Sequence, residues 1–418
     1  MDIFRNRINV EAEEVNQVLI IGAGVTGLAL AQGLKKIGIP CVVYEKNEDL
    51  EKGRDWDFGV HWGLEALKEL LPQDLFDLLE TTQVDPYLSP VKENYGVPLL
   101  DGSSGKLIKV LESSKCYRLR RDTLRKLLSS GLDVRYGKEL AKIELTGGYR
   151  TVAARFIDGQ QTTGRLLIGC DGAHSLVRSK LVGDEAAQLQ SLGFATAMCY
   201  SKHTAEHAKW LRSPPFHPLH QLSIHPDGDK LAWLSIHNAD DKNHPEDWTF
   251  LHYISYPTPP DHTQWTTTQL LQHQKTLAKT FCDPWKSLYN WMPDASPDPE
   301  IYSTNFQTWD PSLPTHAWDN QYGRVTLAGS SAHPIPPLPS LSPSIHHGAS
   351  LQDALDLCHA IQTFWKSEEF VVGDGIQVRC AAIKAYEVEM KERGGREVRV
   401  SEEGIRMVRG VRGVESKG

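Results

Sequence analysis

The most constraining feature of the chain lies near its start. Val18 to Ile21 reads as a short buried strand, Gly22-Ala23-Gly24-Val25-Thr26-Gly27 follows at once, and LALAQGLKKIG then reads as a helix that Gly38 can stop. Pro40 to Tyr44 resumes as a second strand. Strand, glycine triplet, helix and strand in this order form the unit that takes the ADP half of a dinucleotide. Gly22 makes the tight turn, Gly24 lets the backbone approach a pyrophosphate, and Gly27 lets helix and strand pack closely. Amides at the helix N-terminus supply the anion site. Glu45, 23 residues after Gly22, stands at the end of the second strand, where a carboxylate accepts hydrogen bonds from a ribose diol. NAD and FAD share this half, so the unit leaves the choice between them open. The alternative to both is a glycine turn in an α/β domain with no ligand.

The 418 residues suffice for two or three domains with their own cores, without disulfides or a structural metal. A net charge of −8 gives no basic face for a phosphate backbone, which points to a small-molecule substrate and away from nucleic acid. The seven cysteines (Cys41, Cys116, Cys170, Cys199, Cys282, Cys358, Cys380) are scattered and never spaced C-x-x-C, so the expectation is a reducing, cytoplasmic setting with no metal ribbon. No run of eighteen apolar residues occurs and the first residues carry acids, so neither a signal peptide nor an integral membrane segment is expected. The C-terminal EEGIRMVRGVRGVESKG is polar and is expected to fray.

Distant segments bear on the dinucleotide. Tyr117 to Leu128 contains Arg121-Asp122-Thr123-Leu124 at a helix start; Arg120 and Arg125 nearby read equally well as a solvated basic face. Leu167-Ile168-Gly169-Cys170-Asp171-Gly172-Ala173-His174-Ser175 runs from a buried strand into an Asp-Gly turn. Gly323 to Pro337 runs from a strand through Ala328-Gly329-Ser330-Ser331-Ala332-His333-Pro334-Ile335-Pro336. Together these segments resemble the FAD-dependent aromatic-hydroxylase type of monooxygenase (salicylate and para-hydroxybenzoate hydroxylases), particularly its fungal secondary-metabolism members, over most of the chain.

The resemblance implies FAD as cofactor, NADPH or NADH as co-substrate, and insertion of one oxygen atom into an electron-rich aromatic or alkene. It implies cofactor contacts from Gly22, Gly24, Gly27, Glu45, Arg121, Asp171, Gly172, Ser330 and Pro336, with Arg178 a further candidate. Arg54, in Gly53-Arg54-Asp55-Trp56-Asp57, resembles the family's flavin-contacting arginine, with a surface cation as its alternative. Asp57 and His61 are candidates for proton handling, giving Arg54, Asp57 and His61 as the catalytic set. The chain departs from the pattern twice. Ser330 stands where the family has aspartate, and supplies neither its charge nor its two-oxygen acceptor. The stretch Leu338-Pro339-Ser340-Leu341-Ser342-Pro343-Ser344 lacks the family's loop glycines. These departures motivate a rival reading, a non-redox cyclase or isomerase with FAD structural or lost; a catalytically silent binding protein is a third.

The expected fold is α/β: a discontinuous Rossmann-type FAD-binding domain (residues 1–182 and 323–365), an inserted antiparallel-sheet substrate domain (183–322), and a C-terminal helical region (366–418). The inserted sheet is read from alternating runs such as LAWLSIH and FLHYISY between turns. Phe216, Trp233, Trp248 and Tyr253 are candidates to line its pocket, sheet-core packing being the alternative for each. His217, His220 and His225 lack companions at ligand spacing, so no metal is expected. A monomer or homodimer is expected, the sequence leaving the choice open.

Overall fold

The computed structural model describes residues 16–51, 55–60, 63–88, 96–111, 117–146, 148–293, 301–336, 345–367, 370 and 375–408. The chain opens with β1 (Val18–Ile21), α1 (Val25–Lys36) and β2 (Cys41–Tyr44). Four apolar residues with no polar alternation suit β1 to burial on both faces, the mark of a parallel-sheet strand. Lys35 and Lys36 complement the C-terminus of α1, and Gly38, at φ +77°, turns the chain out of it.

The chain then forms β3 (Asp57–Val60), α2 (Gly63–Leu70), β4 (Val97–Asp101), β5 (Leu107–Leu111), β6 (Tyr117–Arg120), α3 (Arg121–Leu128) and β7 (Val134–Arg135). A hairpin layer of β8 (Leu140–Thr146), β9 (Thr151–Phe156) and β10 (Gln161–Gly164) leads into β11 (Leu166–Gly169) and α4 (Leu176–Val182). The insertion supplies β12 (Gln190–Ser201), β13 (His220–Ile224), β14 (Leu231–Asn238), β15 (Thr249–Pro257), α5 (Thr267–Ala278), α6 (Trp285–Trp291) and β16 (Ile301–Thr308). The chain returns through β17 (Val325–Leu327) and ends in α7 (Ile345–Trp365) and α8 (Ile376–Val408).

Five parallel strands make the Rossmann sheet, in the order β17-β11-β1-β2-β7. The insertion leaves after β11 and the chain returns alongside it as β17, with Leu167 opposite Val325, so the discontinuity falls between neighbouring strands. A seven-stranded sheet, β16-β12-β15-β14-β13-β4-β5, forms the second body. It is antiparallel except where β13 meets β4, and β4 and β5 reach it from the chain before the insertion. The antiparallel pair β3 and β6 stands apart from both sheets.

Strand alternation gives the large sheet two distinct faces. Ala232, Leu234, Ile236, Phe250 and Ile254 pack against Leu271, Trp285, Leu288 and Tyr289 of α5 and α6. The opposite face carries Trp233 and Tyr253, paired across β14 and β15, with Ser235 and His237 further along β14. The closing helix is longer than its sequence suggests, running unbroken to Val408 through Gly394-Gly395. Those positions are tight: a Cβ on Gly394 would come within 2.7 Å of His333 Cδ2, and one on Gly395 within 2.5 Å of Asp310 Oδ1. The segment expected to fray is therefore helical in its first part, and residues 409–418 lie outside the described residues. Among the described residues no helix is long and apolar enough to cross a membrane.

Candidate active site

Three backbone segments converge at the carboxyl ends of β1, β11 and β17, the edge where open α/β sheets bind ligands. Gly22 follows β1 at φ +107°, and a Cβ there would lie 2.4 Å from the Cys170 carbonyl oxygen. The glycine therefore answers both a backbone conformation and a close approach. Gly27 allows the next contact, since a Cβ would sit 2.2 Å from the Gly22 oxygen. Gly24 caps α1 with no side-chain bond, and the first turn carries no acid, so its amides and the helix dipole face outward toward an anion.

Glu45 folds back onto this loop. Its Oε2 accepts from Ala23 N at 2.9 Å and its Oε1 from Asn47 N at 3.0 Å, so the carboxylate is fixed with lone pairs remaining. Arg125 completes the arrangement, donating from Nε to the Ala23 carbonyl at 2.8 Å and from Nη1 to Leu50 O at 3.3 Å. It is 2% exposed, which corrects its reading as part of a solvated face. The signal was present in the sequence: Arg121, Leu124, Arg125 and Leu128 share one face of α3. Arg121 lies over the Trp56 ring at 4.2 Å. Burial, with the charge of Arg125, pulls its guanidinium down to about 10. Arg125 is engaged within the protein as a strut of the glycine loop, and Arg121, on the same helix face, is the guanidinium suited to a pyrophosphate.

The Asp-Gly segment lies across the glycine loop. Asp171 caps α4, accepting from Ser175 Oγ at 2.5 Å, Leu176 N at 2.7 Å and Val177 N at 3.2 Å, while Gly172 turns the chain at φ +81°. Burial raises the Asp171 carboxyl against these bonds. Arg178 is 1% exposed and donates to the carbonyls of Ser331 at 2.9 Å, Ala173 at 2.5 Å and Ala187 at 3.2 Å. It staples the Asp-Gly segment to the one after β17, so its guanidinium is engaged within the protein.

After β17, Ser331 Oγ donates to the carbonyls of Gly169 and Ala328, and Arg178 takes its carbonyl. Ser330 beside it is exposed and Pro336 is buried. Gly329 abuts α1, where a Cβ would meet Thr26 Oγ1 at 2.5 Å. Residues 337–344, with the whole Pro/Ser stretch, and Arg54 and His61 lie outside the described residues.

The β3–β6 pair carries a charge cluster that joins it to the large sheet. Asp57, whose side chain is 0% exposed, pairs with Arg118, accepts from Ser235 Oγ at 3.3 Å and meets His237 Nδ1 at 3.2 Å. The other nitrogen of His237 meets Asp55 Oδ2 at 3.1 Å, Tyr200 donates to the Asp55 carbonyl, and Asp55 accepts from Asp122 N at 2.9 Å. Arg118 lies 5.0 Å from the Trp233 ring centre. Half-buried Phe194, Met198, Tyr200 and Tyr302 continue the Trp233 face, giving an aromatic roof with a polar margin. Of the four aromatic candidates, Trp233 and Tyr253 belong to this face. Trp248 instead sits under Arg212 at 4.6 Å, and Phe216 packs on Trp210. His217 stacks on His220, and His225 meets the Thr280 carbonyl.

Burial lowers the His237 imidazolium, but its bonds to Asp55 and Asp57 and their charges outweigh this and push it up to about 9. A folded-state value above the ordinary 6.5 stabilises the protein fully below that pH, and the contribution is lost as pH rises through about 9. Wild-type protein is expected to lose more unfolding free energy across that window than His237→Gln does, measured by denaturant titration. Parallel curves would exclude this Asp55–His237–Asp57 clamp.

The family follows from comparison with known proteins. The family model for an NAD(P)-binding Rossmann-like domain matches residues 20–80. The FAD-dependent monooxygenase cctM of Talaromyces islandicus is 32% identical over 391 residues, spanning 93% of this chain and 92% of the relative. The chain belongs to the FAD-dependent monooxygenases. A second member, phnB of Penicillium herquei, is 31% identical over 94% of this chain and 90% of its own length. Klebsiella pneumoniae HpxO, solved with FAD and uric acid, shares the fold at TM-score 0.68 and 20% identity, over 94% of this chain and 89% of that one. As an FAD-dependent monooxygenase the protein is an oxidoreductase, and the glycine cradle, uncapped helix, Glu45 and Arg121 fit the adenosine and pyrophosphate half of FAD. Sequence reasoning missed the burial of Arg125 and the role of His237, each defined by a contact with a distant part of the chain.

Proposed function

We propose that this monooxygenase consumes NADPH or NADH and dioxygen to insert one oxygen atom into an electron-rich aromatic or alkene small molecule of secondary metabolism. The observation that carries the reading is the aromatic roof, Trp233, Tyr253, Tyr200, Met198 and Tyr302, set on the sheet face that the β3–β6 pair joins to the dinucleotide domain. In this reading Gly22, Gly24, Gly27 and Glu45, with Arg121, hold the adenosine and pyrophosphate, and Arg125 braces the glycine loop behind them. Asp171, Gly172, Ser330 and Pro336 line the path toward the ring.

Bound FAD supplies electron transfer from the nicotinamide and the activation of dioxygen. The chain's own residues do the rest. The roof excludes water and orients an apolar ring, and Tyr200, held by Asp55, sits at the polar margin. With Arg118, Ser235 and His237 occupying its oxygens, Asp57 acts in positioning this margin. Proton transfer falls to His61 or the substrate itself, and Arg54 contacts the flavin in this reading.

The test is turnover under isotopically labelled dioxygen with a phenolic or polyene candidate. The expected result is one labelled oxygen in the product, one in water, and one NAD(P)H oxidised per product. Product formed without NAD(P)H or dioxygen would favour a cyclase or isomerase instead.

A further inference from the structure

Asp353 is the most completely enclosed carboxylate near the three converging segments. It lies on α7, 0% exposed, and its two oxygens take three donors, two from the turn after β17 and one from α8. Oδ2 accepts from the Gly329 amide at 2.6 Å and from His333 Nε2 at 2.7 Å, and Oδ1 accepts from Arg393 Nη1 at 3.0 Å. Burial opposes the charge, but His333 and Arg393 outweigh it and hold the carboxyl below its ordinary range. Asp353 is therefore an acceptor, and His333 donates to it through Nε2.

A charge this buried persists only where its geometry is fully satisfied. Here the geometry acts on one turn. Gly329 stands at φ +65° against Thr26 in the first turn of α1. Its amide is held by Asp353, His333 four residues later is held by the same oxygen, and Arg393 anchors the carboxylate to α8 while also donating to the Ala349 carbonyl at 3.0 Å. Outside the triad, Arg393 is tied to Asp356 of α7 and to exposed Glu389 one turn earlier on α8. Between these two fixed points lie Ser330, Ser331 and Ala332, and of the three only Ser330 is exposed.

We propose that Asp353, with His333 and Arg393, is the positioning residue of the flavin site, locking the Gly329–Ser331 turn onto α1 so that Ser330 meets FAD at a set place without a carboxylate of its own. Asp353 touches no cofactor in this account; it acts through the Gly329 amide and His333. The inference rests on the reading that this turn faces FAD.

The test uses the full chain and FAD itself. Asp353→Asn keeps an oxygen for Gly329 but removes the charge that holds His333 and Arg393. It is expected to weaken FAD binding roughly tenfold to a hundredfold and to shift the visible circular dichroism of the flavin that remains bound. Asp353→Glu should recover part of both. Glu389→Gln, which removes only an exposed partner of Arg393, should bind FAD as wild type does. A folded Asp353→Asn protein with wild-type FAD affinity and spectrum would overturn the proposal. Should that variant fail to fold, His333→Gln takes its place; a loss of several-fold is expected, and unchanged affinity overturns the proposal equally. Failure of the wild-type protein to bind FAD would instead refute the functional reading beneath it.

Discussion

Replacing Asp57 with alanine is expected to lower the unfolding free energy by about 3 to 5 kcal/mol, the range for breaking a buried ion pair from one side. The Asp57 side chain is 0% exposed, against 11% for Arg118 and 8% for His237, so removing the carboxylate leaves two enclosed cations short of their partner. The loss should exceed that of Asp57→Asn, which keeps a hydrogen-bond acceptor. The second consequence is mechanical: Ser235 and His237 reach the β3–β6 pair through Asp57, so the roof should lose register with the dinucleotide domain. Denaturant unfolding checks the first effect, and the KM of any aromatic substrate checks the second. A loss below about 1 kcal/mol would place Asp57 in water and contradict the clamp.

Gly22→Ala is expected to remove FAD binding, by about a hundredfold or more. A methyl group there faces a φ of +107° and would approach the Cys170 carbonyl oxygen at 2.4 Å, its carbon at 2.7 Å and Asp171 Cα at 2.9 Å. Relief requires the Asp-Gly segment to part from the glycine loop, which opens the convergence on which the cofactor site is built. Gly159→Ala separates strain from site. Gly159 has a φ of +86° with nothing within 4 Å of a built Cβ, so that variant should cost about 1 to 2 kcal/mol of stability and leave FAD affinity unchanged. Near-wild-type affinity in Gly22→Ala would show that the segments do not meet as described.

Legibility in the sequence followed the range of the interactions. The first β-α-β unit was readable because strand, glycines, helix and acid are adjacent, and the inserted sheet because LAWLSIH and FLHYISY alternate with the period of a half-buried strand. The α/β class, the FAD-binding fold and the family followed from these and from the Asp-Gly segment. The addition of β4 and β5 to the edge of the inserted sheet could not be read, since pairing with β13 depends on contacts across more than a hundred residues.

The same limit governs the site. Arg125 reaches a carbonyl 102 residues away, and His237 meets a carboxylate 180 residues away. Asp353 is 24 residues from Gly329, but the stretch between them gives no local pattern that pairs the two. Arg125 alone left a trace, one helical turn from Arg121 and on the face of Leu124 and Leu128. Ser330 shows the converse. Its departure from the family pattern was plain in the sequence, while the buried carboxylate that fixes its turn was not.

Titration of cofactor-free protein with FAD, followed by visible absorbance and by quenching of flavin fluorescence, tests the central claim most directly. The account predicts saturable binding of one FAD per chain, with a perturbed flavin spectrum, and its loss in Gly22→Ala. Protein that purifies without flavin absorbance and shows no saturable change on titration would contradict it.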